Sequence, residues 1–146
     1  MAQFIYRQKV MFQHCDPAGI VFYPRYFEML NSCVETWFDT ALSYSFATMH
    51  LKEKVGVPTV SLHSEFVAPS FLEDELEFAL SVSEIGTKSI TLNIEVNSVV
   101  NSNEQLRFKA QVTLVFVDLA QAPPKSIAWS AVLKEAFESY LEEGVE

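Results

Sequence analysis

The chain has 146 residues, 49% of them hydrophobic with 12 Phe, 4 Gly and 6 Pro, which predicts one domain, 1–146, with a substantial core. The net charge of −9 argues against nucleic acid or an acidic membrane surface as a partner, and two cysteines are too few for a disulfide framework or a thiolate metal site. The sequence has no run of about 18 apolar residues, and its N-terminus has no basic segment before an apolar one. We therefore expect no membrane span, no signal peptide and a cytoplasmic location.

The N-terminal part predicts a strand, a turn and a long helix. Hydrophobic residues that alternate with mostly polar neighbours predict the first strand: Phe4, Tyr6, Val10 and Phe12. The segment 14–19 contains Pro and Gly and predicts a turn. Pro24 suits a first helical residue. After it, hydrophobic residues spaced by three and four predict a long amphipathic helix: Phe27, Leu30, Val34, Trp37, Phe38 and Ala41.

The C-terminal part changes to a period of two and then returns to helical spacing. Alternating hydrophobic residues predict strands at 60–66, 76–82, 90–96 and 106–116. The breaks at 68–70, 85–87 and 101–103 are short, which favours antiparallel hairpins. Helical spacing in the last segment predicts a C-terminal helix: Leu133, Ala136, Phe137, Tyr140 and Leu141. The sequence thus predicts an α+β fold, in which an antiparallel sheet of about five strands curls around the long helix.

The segment 13–26 contains the residues best suited to chemistry. The sequence has no Gly-rich phosphate loop and no Gly-x-Ser-x-Gly elbow, and its histidines lack zinc spacing. Asp16 precedes a turn that leads into a helix N-terminus, where unpaired backbone N–H groups can polarise a carbonyl. A carboxylate facing such donors is a minimal arrangement for acyl transfer. Asp before Pro also commonly only initiates a turn, and a nucleophilic Cys15/His14 pair is a further alternative.

The string Cys-Asp-Pro-Ala-Gly-Ile-Val at 15–21, with Tyr23-Pro24 and Tyr26 after it, resembles the 4-hydroxybenzoyl-CoA thioesterase family. The runs 55–61 and 66–67, and Lys88-Ser89 after the Ile85-Gly86 turn, are similar to later parts of that family. The resemblance implies a hotdog fold, a homodimer or homotetramer, and hydrolysis of an aromatic or medium-chain acyl-CoA. It implies no metal and no separate cofactor, since coenzyme A is part of the substrate.

Matched by position, the resemblance assigns four site residues. Asp16 corresponds to the catalytic aspartate, as nucleophile or general base, and the backbone N–H of Tyr23 to the donor that polarises the thioester carbonyl. Lys88 corresponds to a residue that meets the coenzyme A phosphates. Asn31 lies where the hydroxybenzoyl enzyme reads a ring hydroxyl with an acid, so this chain departs from the family there. It also departs at His14, where relatives often have an acidic residue.

Other functions remain open on the sequence alone. Within the same fold, a glutamate of the central helix, Glu28 or Glu35, can be the catalyst. A hotdog enoyl-CoA hydratase needs an Asp and a His together, and His14 would have to supply the imidazole. A non-catalytic acyl-CoA-binding protein is the alternative that is not an enzyme. Release of a thiol from an aryl-CoA separates it from an enzyme.

Overall fold

The computed structural model describes residues 2–100 and 103–142. Its elements in chain order are β1 (Phe4–Lys9), α1 (Tyr23–Thr36), β2 (Val55–Gly56), β3 (Thr59–Phe66), β4 (Glu75–Ile85), β5 (Ser89–Val100), β6 (Asn103–Val115), β7 (Val117–Asp118), β8 (Lys125–Ser126) and α2 (Ala131–Glu138). Three short helical turns complete the description, at Phe12–His14, Trp37–Ala41 and Thr48–Glu53.

A five-stranded antiparallel sheet in the order β1-β4-β5-β6-β3 forms the body of the fold. One side of its three central strands is buried against α1, and these side chains are those of Leu76, Phe78, Leu80, Val82, Ile90, Leu92, Ile94, Val96, Phe108, Ala110, Val112 and Leu114. The small strands β2, β7 and β8 form a second sheet. The predicted antiparallel sheet around a long helix is therefore confirmed.

The helix α1 exists because one broad face of it is apolar. Pro24, predicted as the first helical residue, is the second, because α1 begins at Tyr23. The last turn of α1 continues into a π-helical turn at Trp37–Ala41. The buried face is wider than predicted and comprises Tyr26, Met29, Leu30, Cys33, Val34, Trp37 and Phe38. Complete burial of a large apolar side chain contributes roughly 1.5–3 kcal/mol.

The helix α2 closes the core at the far end of α1. It begins after Ser130, whose Oγ accepts a hydrogen bond from the Leu133 N–H at 3.1 Å. Its buried Phe137 packs on Trp37 with a ring-centroid distance of 5.7 Å. Beyond the helix, Leu141 lies next to Val82 of β4 as an isolated parallel bridge.

Several sequence predictions of local structure are wrong. The first strand ends at Lys9, and Phe12 belongs to a short helical turn, because the Met11 N–H bonds to the imidazole of His14. The predicted hairpin at 68–70 does not form, since β3 pairs with β6 at the edge of the sheet while β4 lies between β1 and β5. The helical turn Thr48–Glu53 was not predicted. Of the turn predicted at 101–103, residues 101 and 102 lie outside the described residues.

Candidate active site

Asp16 lies in a tight loop whose two ends pair with each other. Cys15 and Val21 form an antiparallel bridge, and the Asp16 N–H donates to the Ile20 carbonyl at 3.0 Å. The Gly19 N–H donates to the Asp16 carbonyl at 2.9 Å, and Gly19 has the positive φ of 82° that glycine adopts without strain. The loop therefore brings the Asp16 side of the chain back beside the start of α1.

The carboxylate of Asp16 is held by one oxygen only. Its Oδ1 accepts a hydrogen bond from the Ala18 N–H at 2.8 Å, which is the usual contact of an aspartate at the start of a turn. Within residues 2–100 and 103–142, Oδ2 has no hydrogen-bond partner, and the side chain is partly exposed. The turn-initiating role and an available carboxylate oxygen thus coexist in one residue.

Tyr23 provides a free backbone donor at the positive end of α1. It is the first helical residue, so its N–H has no acceptor within the helix, and in the described part of the chain no other group accepts from it. The next residue, Pro24, has no N–H, and the Arg25 N–H donates to the Phe22 carbonyl at 2.8 Å. The helix macrodipole adds partial positive charge at this point.

An aromatic cluster lies beside this donor. Tyr26 stacks on Phe108 with ring centroids 4.7 Å apart and an interplanar angle of 6°. Phe66 of β3 contacts Tyr23, Tyr26 and Phe27 at centroid distances of 5.9, 6.0 and 6.1 Å. The side chains of Tyr23 and Phe66 are 59% and 50% exposed. The site therefore has an apolar aromatic surface that solvent reaches.

His14 and Cys15 bond to Met11 and not to each other. The His14 Nδ1 accepts from the Met11 N–H at 2.8 Å, and Cys15 Sγ makes a long contact of 3.7 Å to the Met11 carbonyl. Burial lowers the pKa of His14 below 6.5, with a further lowering from the charge of Arg25 and an opposing effect of Glu28. His14 is thus a neutral hydrogen-bond acceptor that shapes the chain before Asp16.

Asn31 and Lys88 lie away from the Asp16 loop. Asn31 is exposed on α1, on the stripe that also carries Glu28 and Glu35, and it follows Tyr23 by ~12 Å along the helix axis. Lys88 is exposed in the turn after β4, at the opposite end of that 11-residue strand, ~33 Å from the strand's start near the Asp16 loop. Within one copy of the chain, Asp16 lies in the loop that pairs with the residues just before Tyr23, whereas Lys88 lies at the other end of β4.

The loop of Asp16 is supported from behind by residues that the sequence did not reveal. The Val21 N–H donates to the Ser70 carbonyl at 2.9 Å, and the buried hydroxyl of Tyr26 donates to Ser70 Oγ at 2.8 Å. Ile20 and Phe71 form a bridge between the same two segments. The only sequence signal for this contact is a serine in a turn-like segment, which is too common to identify it.

No group of three or more His, Cys, Asp or Glu side chains in 2–100 and 103–142 is placed to hold a metal ion. In the same part of the chain, no helix has both the length and the apolar character needed to cross a membrane.

Comparison with known proteins identifies the family. The sequence model of the Thioesterase-like superfamily matches residues 10–137. The 4-hydroxybenzoyl-CoA thioesterase of Pseudomonas sp. strain CBS-3 is 30% identical over 112 residues, which cover 75% of this chain and 79% of that protein. The 1,4-dihydroxy-2-naphthoyl-CoA hydrolase of Nostoc punctiforme is 28% identical over 95 residues, 64% of this chain and 62% of that protein.

Solved structures agree with the sequence matches. The Pseudomonas 4-hydroxybenzoyl-CoA thioesterase structure has a TM-score of 0.84 at 25% identity and covers 92% of this chain and 98% of that chain. The dynemicin thioesterase has a TM-score of 0.87 at 18% identity, with 97% and 99% covered, and shows the shared fold. These matches confirm the hotdog fold and the resemblance drawn from residues 15–21. The chain belongs to the Thioesterase-like superfamily and is an enzyme of the thioester hydrolase class.

Proposed function

We propose that this enzyme hydrolyses an aromatic or medium-chain acyl-CoA to the free acid and coenzyme A. The observation that supports the proposal is the Asp16 loop, in which Oδ2 of Asp16 has no partner in the described residues. The same loop pairs with the start of α1, since the His14 carbonyl accepts from the Phe22 N–H, one residue before the Tyr23 N–H. The curated relatives act, by their names, on hydroxybenzoyl-CoA and dihydroxynaphthoyl-CoA, and the aromatic cluster around Phe66 is suited to such rings.

In this mechanism, the thioester carbonyl oxygen accepts a hydrogen bond from the Tyr23 N–H, and the α1 dipole stabilises the negative charge that develops there. The Asp16 carboxylate either attacks the carbonyl carbon or removes a proton from an attacking water. In the first route an Asp16–acyl anhydride forms, the C–S bond breaks, and water then hydrolyses the anhydride. In both routes the thiolate of coenzyme A leaves and takes a proton from solvent.

The exposed edge strand β3 supports a homodimer or a larger homo-oligomer. Val60, Leu62 and Phe66 are 61%, 43% and 50% exposed, and an uncovered apolar edge is what a second copy would cover. Pairing of two β3 strands about a two-fold axis is antiparallel. It would therefore bring the partner's Lys88 end beside the Asp16 end of the first copy. The proposed contact of Lys88 with the coenzyme A phosphates depends on this arrangement.

Replacement of Asp16 by Asn tests the proposal directly. The amide oxygen of Asn can still accept from Ala18, so we expect unfolding free energy to change by no more than about 0.5 kcal/mol. Loss of the anion should lower kcat roughly 10²-fold or more in a thiol-release assay with benzoyl-CoA and 4-hydroxybenzoyl-CoA. A wild-type rate in Asp16→Asn would refute the proposed role.

Asp118→Asn is the matched control. Asp118 Oδ1 accepts from the Ala120 N–H at 2.9 Å, the same two-residue contact that Asp16 makes, but Asp118 lies in the small second sheet. This variant should retain the wild-type kcat. Cys15→Ala should also retain most activity, and its loss would instead favour a thiol nucleophile. Binding of acyl-CoA by the wild-type protein without thiol release would favour a non-catalytic binding protein.

A further inference from the structure

Arg107 of β6 is buried because it occupies a β-bulge. Val96 of β5 pairs with Phe108, but the next residue, Asn97, pairs with Leu106, so Arg107 is the extra residue. A regular strand turns neighbouring side chains to opposite faces, and a bulge redirects the side chain that it carries. Arg107 is accordingly buried together with its neighbour Phe108, with only 4% of its surface exposed.

The guanidinium of Arg107 holds the connection 67–74 between β3 and β4. Its Nη1 donates to the Pro69 carbonyl at 2.7 Å and to Asp74 Oδ2 at 2.8 Å. Asp74 Oδ2 also accepts from the Phe71 N–H at 2.8 Å, within the same connection. The backbone carbonyl of Arg107 accepts two further N–H groups at the start of the connection. One residue thus fixes the connection along most of its length.

The connection in turn holds the Asp16 loop. Ser70 follows Pro69 directly, and its carbonyl accepts from the Val21 N–H at 2.9 Å. Phe71 bridges Ile20, and the Ile20 carbonyl accepts from the Asp16 N–H at 3.0 Å. A path of hydrogen bonds and covalently adjacent residues therefore runs from the Arg107 side chain through Pro69-Ser70 and Ile20-Val21 to the backbone of Asp16.

Stability alone does not explain an arginine at this position. A buried charge is costly, and replacement of a buried ion pair by uncharged groups is often neutral for stability. The Nε–H of Arg107 is buried without a hydrogen-bond partner in the described part of the chain, so the network is not fully satisfied. What Arg107 provides is geometry, because its Nη1 bonds both to Pro69 and to Asp74 and so fixes both ends of the turn that contacts the Asp16 loop.

We infer that Arg107, together with Asp74, is a positioning residue that sets the Asp16 carboxylate against the Tyr23 N–H. This inference rests on the proposed role of Asp16. Neither Arg107 nor Asp74 needs to touch the substrate, since both act through the connection 67–74. Their loss should therefore lower the rate of the chemical step and leave substrate affinity largely unchanged.

The double substitution Arg107→Met/Asp74→Asn tests the inference, because it removes the ion pair without leaving one buried charge unpaired. Asn at 74 can still accept from the Phe71 N–H. A displacement of about 1 Å at a reacting group can lower rate ~10²-fold. We expect kcat for benzoyl-CoA to fall by ~10- to 100-fold, with KM within about threefold, measured well below the melting temperature. Arg107→Lys keeps the charge, but its Nζ lies one bond closer to the backbone than Nη1, so it reaches Pro69 and Asp74 less well and its kcat should be intermediate.

A matched control and a mutant cycle separate positioning from general destabilisation. Arg7→Met/Glu77→Gln removes a pair of the same type, 3.2 Å apart on β1 and β4, in which Arg7 is exposed and Glu77 is partly buried, and it should leave kcat unchanged. In an Asp16→Asn background, the Arg107→Met/Asp74→Asn change should cost little further rate, since it acts through Asp16.

The remaining possible results of these experiments contradict either the inference about Arg107 or the proposed role of Asp16. If Arg107→Met/Asp74→Asn keeps the wild-type kcat while Asp16→Asn is inactive, the inference about Arg107 is overturned and the proposed function stands. The inference is also overturned if the double substitution lowers kcat by the same factor in the Asp16→Asn background as in the wild type. If the double variant does not fold, an unchanged kcat in Arg107→Lys overturns it. A wild-type rate in Asp16→Asn itself overturns the proposed function.

Discussion

His14 makes the stability of the enzyme depend on pH near neutrality. Its Nδ1 accepts a hydrogen bond from the Met11 N–H, and an imidazolium cannot accept one there. Burial, and secondly the charge of Arg25, lower the pKa of His14 in the folded state below its ordinary value of 6.5. The unfolded state therefore binds this proton more readily. Stability from this group is fully present above pH 6.5 and is lost as pH falls through the lowered pKa.

The size of the effect follows from the contact that is lost. Replacement of His14 by Ala leaves the Met11 N–H without its acceptor, which costs about 1–3 kcal/mol. For a chain of this length, about 2 kcal/mol corresponds to a melting temperature ~4–8 °C lower. The part of the pH dependence that His14 causes should disappear in the same variant.

Urea unfolding at pH 7.5, 6.5 and 5.5 measures both effects, in a range where ordinary carboxylates stay ionised. His50→Ala is the control, because His50 is exposed in the turn Thr48–Glu53, and this variant should keep the wild-type pH slope. Equal pH slopes for His14→Ala and wild type, or no loss of stability at pH 7.5, would refute the assignment of His14 as a neutral acceptor.

Three further predictions concern the substrate and the assembly. Lys88→Ala should raise KM for acyl-CoA esters at low salt with little change in kcat. The control Lys134→Ala on α2 should leave KM unchanged. An unchanged KM in Lys88→Ala would indicate that Lys88 is only a solvated turn residue. Wild-type kcat/KM for benzoyl-CoA and 4-hydroxybenzoyl-CoA should differ modestly, because the Asn31 amide is not an anionic acceptor; a ratio of ~10⁴ would contradict this. Light scattering should give a dimer or larger particle, and a 16.5 kDa particle at micromolar concentration would argue against an intersubunit site.

The sequence is informative wherever structure depends on neighbouring residues. The Asp16 loop follows from Asp-Pro-Ala-Gly itself, because Asp16 accepts from Ala18 and Gly19 takes the positive φ that the turn requires. The helix α1 and the strands β4, β5 and β6 follow from the period of their hydrophobic residues. The hairpins from β4 to β6 follow from their short connections.

The errors arise where distant segments decide the structure. Nothing local in 59–66 shows that β3 pairs with β6 at the sheet edge instead of with β4. The bulge at Arg107 inverts the alternation of β6, so that a residue expected on the outer face is buried. The support of the Asp16 loop by Ser70 could not be predicted for the same reason, since it depends on where the 67–74 connection crosses the end of the sheet.

The two kinds of group proposed for this site differ in how they are held. Asp16 and the Tyr23 N–H are fixed by backbone hydrogen bonds and by a helix start, which depend on packing far behind the site. Asn31 and Lys88 are exposed, and within the described residues their side chains form no hydrogen bond or ion pair. Substitutions at those two positions should therefore alter which acyl-CoA is used at little cost in stability, since exposed positions tolerate change. The chemical step, in contrast, is sensitive to residues such as Arg107 that never reach the substrate, because small displacements of a reacting group are costly.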